Sequence, residues 1–179
     1  MMEPCHLWRL HWLLPMVAAL CAYGPPGWSA AVQRLPLHRD TELSRQGAPA
    51  AVILAPDAPE YQALAEELSR AIAARTGISL PVRRAADCVR DRPRTVKPDG
   101  IDHHFILLGQ FWNNAVLERL YAGMFDPTDA VFPGPGGRDL RTVCSPFRYG
   151  QNCVVATGSD FEGCRQAVAE LPGILRSRD

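Results

Sequence analysis

Three short apolar runs, each leading into an amphipathic stretch, predict an α/β fold. The expected architecture is a small two-layer or three-layer sandwich. It has a mixed, mainly buried sheet of about five strands and three main helices. The runs are AVILA (51–55), FILLG (105–109) and CVVA (153–156). A short continuous apolar run is the mark of a strand covered on both faces. A third observation, the turn signal Tyr149-Gly150 between two strand-like segments, adds an antiparallel hairpin and makes the sheet mixed.

The elements follow in order. After the first strand, Asp57 and Glu60 have the spacing of a capping box, and Pro59 suits a first helical turn. Tyr61, Leu64, Ala65, Leu68, Ala71 and Ile72 then share one helical face. Thr76-Gly77 ends this helix, with Gly77 free to adopt the left-handed conformation of a C-cap. Residues 80–84 read as a second strand, in which Pro81 belongs at the start or on an edge. Residues 85–102 are charged, contain Pro93 and Pro98, and read as an exposed excursion. Past the third strand, Asn113 or Asn114 caps a helix whose apolar face is Val116, Leu117, Leu120, Tyr121 and Met124. Residues 132–137 are a loop. Residues 139–146 and 152–157 pair as a hairpin. The last helix spans about 160–171, with Ser159 and Glu162 as its capping box and Cys164, Ala167, Val168 and Leu171 on its inner face.

Arg9 and His11 precede an apolar run at 13–20, broken by Pro25-Pro26-Gly27 and followed by Ser29-Ala30-Ala31. That is a secretory signal pattern, too short to span a bilayer. Residues 1–31 are therefore read as a signal peptide, 32–48 as a linker, 49–175 as the domain and 176–179 as a tail. Export implies a secreted or periplasmic protein. Formal net charge is zero and no basic block stands out, which disfavours nucleic acid and anionic membrane as partners. Cys5 and Cys21 leave with the signal. Cys88, Cys144, Cys153 and Cys164 remain, without any CxxC spacing for zinc. Cys144 and Cys153 flank the hairpin turn and are the candidate disulfide. Four free thiols are the alternative.

The turn Thr157-Gly158-Ser159-Asp160 joins a strand to a helix, where phosphate often binds. Asp160 and Glu162 already answer the helix dipole there and repel an anion, so the structural reading prevails. Adjacent His103 and His104 at a strand start point to opposite faces and have no third ligand at a supporting spacing. Trp112 and Asn113 follow the third strand, at the edge where open α/β sheets bind ligands. A Trp beside amides can stack on a sugar. With Gly136 of the Gly-rich loop they are the candidate ligand residues. No metal ligand set, nucleophile elbow or paired carboxylate stands out, and no cofactor is implied. A small enzyme using Cys88 or His104 is a third, weaker reading.

The stretch AVILAPDAPEYQALAEELSRAIAARTGISLPV resembles the opening of the accessory α/β domain that precedes the catalytic domain in family 20 β-hexosaminidases and family 67 α-glucuronidases. FILLGQ is similar to that domain's next strand. VVATGSDFEGCRQAVAEL is similar to its last unit, with Gly158, Asp160 and Gly163 forming G-x-D-x-x-G. Arg165-Gln166 departs from the aromatic the family has near the final helix start. The resemblance covers about residues 48–175. It implies an exported, non-catalytic accessory domain of a glycoside hydrolase or polysaccharide lyase, bracing a catalytic domain expected downstream of Asp179. It carries over no catalytic residue. The alternative is a stand-alone secreted module that binds polysaccharide through Trp112, Asn113 and the 133–137 loop.

Overall fold

In a computed structural model, which describes residues 36–89 and 103–176, AVILA is a strand with no exposed residue. A two-stranded ribbon, β1 (Ser44–Arg45) and β2 (Ala48–Pro49), precedes it. The main sheet comprises β3 (Ala51–Ala55), β4 (Val82–Arg84), β5 (His104–Gly109), β6 (Arg138–Arg148) and β7 (Gln151–Gly158). The helices are α1 (Pro59–Thr76), α2 (Ala115–Ala122) and α3 (Phe161–Ile174), and a 3-10 turn covers Ala85–Cys88. Strand order is β4-β3-β5-β7-β6. The first four strands are parallel and β6 runs antiparallel to β7, so the sheet is mixed as expected. Pro81 stands just before β4, an edge strand, where its lack of an N–H costs no ladder bond.

Alternation along the strands divides the core in two. Ile53, Ile106, Leu108 and Val154 face α1 and α3, meeting Leu64, Leu68, Ile72, Ala167 and Leu171. Val52, Leu54, Phe105, Leu107 and Val155 face the other way, toward Val116, Leu117 and Leu120 of α2 and Cys88 of the 3-10 turn. With helices over both faces, every residue of β3 and β7 is buried, which is why β3 and the centre of β7, Cys153 to Ala156, read as apolar runs.

Several local expectations are corrected. The linker's last residues form the β1–β2 ribbon. The N-cap of α1 is Ala58, with no side-chain cap, because Pro59 takes the first helical position. Asp57 instead lies 3.6 Å from Arg84. Of the two asparagines expected as caps of α2, Asn114 takes the role, accepting from the N–H groups of Val116 and Leu117. Met124 lies beyond α2, in a left-handed conformation and almost fully exposed, so it is not part of the apolar face. Asp160, not Ser159, caps α3, accepting from Gly163 N–H at 2.8 Å. Glu162 pairs with Arg165 and Gln166 instead of closing a capping box. Gly77 does take the left-handed C-cap, φ 75°. No helix among the described residues is long and apolar enough to cross a membrane. The expected signal peptide, linker residues 32–35, residues 90–102 of the excursion and residues 177–179 of the tail lie outside the described residues.

Candidate functional site

The parallel strands end together at one edge of the sheet. From β3 the chain leaves through α1 toward β4. From β5 it leaves through α2 on the opposite face, toward β6 and β7. The crevice between the ends of β3 and β5 is therefore the topological switch point, the usual ligand position in such sheets. Trp112 and Asn113 are carried to it by the turn after β5.

The geometry there is specific. Gln110 is 2% exposed, and its Oε1 accepts from Tyr61 Oη–H at 2.6 Å and from Asn113 Nδ2 at 2.7 Å. Asn113 Oδ1 accepts in turn from Gln110 N–H at 2.8 Å. Both acceptor positions of the Gln110 oxygen are filled, which fixes the amide's orientation. Its Nε2 has no partner. Burial raises the Tyr61 hydroxyl above its ordinary value, so it stays a donor. The Phe161 ring meets Tyr61 edge-on at 5.1 Å. Trp112 is 51% exposed beside this network. Asn113 is thus mainly a staple for the turn, and Gln110 keeps one buried donor without a partner. A glutamine after a strand carries no pattern, so the sequence alone does not single out Gln110.

Gly136 is not free to serve a ligand. Its N–H donates to Asp160 Oδ2 at 2.8 Å, and the Gly134 N–H donates to Ser159 Oγ at 3.0 Å. The 133–137 loop is pinned to the start of α3. Gly158 and Gly163 close the same joint. A Cβ on Gly158 would stand 2.6 Å from the Gly137 oxygen, and a Cβ on Gly163 would collide with that same carbonyl. Backbone donors from Gly163 and then Gly136 hold the Asp160 carboxyl below its ordinary range. The turn is therefore saturated by its own carboxylate, in line with the structural reading.

Three of the four described thiols are placed poorly for a nucleophile. Cys88, Cys144, Cys153 and Cys164 are free. Residue Val143, not Cys144, stands opposite Cys153, and neighbours on a strand point to opposite faces, so the candidate disulfide is not formed. Burial pushes the Cys164 thiol up to about 12 and raises Cys88 and Cys153 as well. A nucleophilic cysteine needs the reverse shift. No cluster of three metal-ligating side chains occurs among the described residues.

The opposite, amino edge carries a feature that the linear sequence hid. Asn152 is fully buried, and its Nδ2 binds the carbonyls of His38 and Asp40 at 2.9 and 3.2 Å. Its backbone N–H donates to His104 Nδ1 at 2.9 Å. This clasp draws residues 38–41 against the start of β7 and frames a polar concavity of about 310 Å³, with an adjoining one of about 180 Å³. His104 and Arg45 line both. Their grouping depends on contacts across more than a hundred residues, which no local motif reports.

No protein-family model matches this chain, and no curated protein matches it.

Proposed function

We propose that the chain is an exported accessory α/β domain of a carbohydrate-active enzyme, of glycoside hydrolase or polysaccharide lyase type. It lacks an active site of its own and braces a catalytic domain of the same parent protein. The observation that carries the reading is the G-x-D-x-x-G joint. Gly158 and Gly163 admit no side chain, and Asp160 caps α3 while tying down the 133–137 loop. The residues that carry the resemblance are thus spent on architecture. Further support comes from the other similar segments, which form β3-α1-β4 and the neighbouring strand β5. The test is the reading frame that encodes the chain. An in-frame catalytic domain after Asp179 is expected, and a frame that closes without one overturns the reading.

A second reading, a glycan-binding module, is favoured by one observation: the unpartnered Gln110 Nε2 at the switch point, beside exposed Trp112. A buried donor left unpaired costs about 1–3 kcal/mol. The exposed indole of Trp112 beside it offers a face on which a sugar ring can stack. Calorimetry with xylan, chitin and cellulose oligosaccharides tests this reading. Binding that is lost in Trp112→Ala supports it, and the absence of heat in the parent chain removes it.

A further inference from the structure

The amino-edge groove has a floor, a rim and a charge pattern. His104 forms the floor. Its Nδ1 accepts from the Asn152 N–H, so the ring proton sits on Nε2. His104 lines both concavities and is half-buried. Its donor nitrogen is therefore the one turned away from β7. On the rim, Glu42 Oε2 takes both Arg45 Nε and Nη2 at 2.9 Å. A guanidinium has a second edge, and the Nη1 side of Arg45 is left for another carboxylate. Arg39, Arg45 and Arg148 line the concavities together with Asp40 and Glu42, so charged side chains of both signs face them. Tyr149 closes one side, its ring edge-on to His38 at 5.0 Å. The larger concavity, about 310 Å³, lies at the low end of ligand sites, which span ~300–1,000 Å³, and suits a single ring.

We propose that this groove binds a small carboxylate of sugar-acid size, held by the Nη1 edge of Arg45 and the Nε2–H of His104. The planar fork of Arg45 matches a carboxylate in a way a neutral hydroxyl does not. The imidazole adds a directed donor that needs no protonation to work. This site lies at the opposite end of the parallel strands from Trp112, so it stands or falls independently of both readings above.

The test is a side-chain ¹H–¹⁵N titration of the full chain at pH 7 with sodium galacturonate, and in parallel with galactose. The expected result is saturating shifts at His104 Nε2 and Arg45 with galacturonate alone, with a dissociation constant on the order of 1 mM. Arg45→Gln, a change on an exposed ribbon, should weaken binding about tenfold, the loss of one charge-assisted contact. Absence of saturation, an equal response to galactose, or indifference to Arg45→Gln would each overturn the proposal.

Discussion

At Gly163 the addition of one methyl group meets a backbone carbonyl, that of Gly137, which cannot swing aside as a side chain would. Gly163→Ala should therefore destabilise the fold by ~1–3 kcal/mol, the range for overpacking, in urea unfolding. Gly77 makes a useful contrast. A Cβ there meets nothing within 4 Å, so Gly77→Ala should cost only the left-handed backbone term of about 1 kcal/mol. His104 supplies a pH dependence. Burial, then the charge of Arg45, holds its imidazole below the ordinary value, with Glu42 opposing. The unfolded chain thus takes up a proton that the folded chain resists. The stability His104 contributes is complete above ~6.5 and is lost as pH falls from there through the lowered folded value. Urea midpoints should drop between pH 7.5 and pH 5.5, and drop less in His104→Leu. An equal drop in both chains would assign the effect to other groups.

Among the elements, α1 was the most legible, because a 3.6-residue period over eighteen residues leaves little choice of face. Tyr61, Leu64, Ala65, Leu68 and Ile72 are all buried. Leu68→Ala should cost ~2–5 kcal/mol, and a near-zero change would show that the face is misread. Helix starts were less legible. Asp57 and Ser159 each stand one residue before the true cap, and the choice between neighbours turned on Pro59 in one case and on the donors of Gly136 and Gly163 in the other. The segment after α2 was not legible at all. Arg141 on β6 binds Asp126 at 2.7 Å and Asp139 at 2.6 Å, and its Nη1 donates to the Phe125 carbonyl. The Asp126 side chain is 1% exposed. These partners lie up to sixteen residues apart along a loop, beyond any periodic signal. Arg141→Ala leaves a buried carboxylate uncompensated and should cost ~3–5 kcal/mol by denaturant unfolding. Adding Asp126→Ala should restore part of that loss, because it removes the stranded charge.

At the scale of the whole molecule, the fold class was readable because strands covered on both faces are mostly apolar along their central residues. The three-layer arrangement around β4-β3-β5-β7-β6 follows from that pattern. The candidate sites were readable only in part. Trp112 could be placed at the carboxyl edge from its position after a strand, whereas Gln110 and the Asn152 clasp depend on tertiary neighbours. The glycines that looked most like a phosphate cradle proved to be the tightest joint in the structure. We propose that this domain supports carbohydrate chemistry without performing it. Turnover of a panel of aryl glycosides by the purified 179-residue chain tests that claim most directly. The account predicts release of aryl alcohol no faster than in buffer, and turnover above that background, proportional to protein concentration, would contradict it.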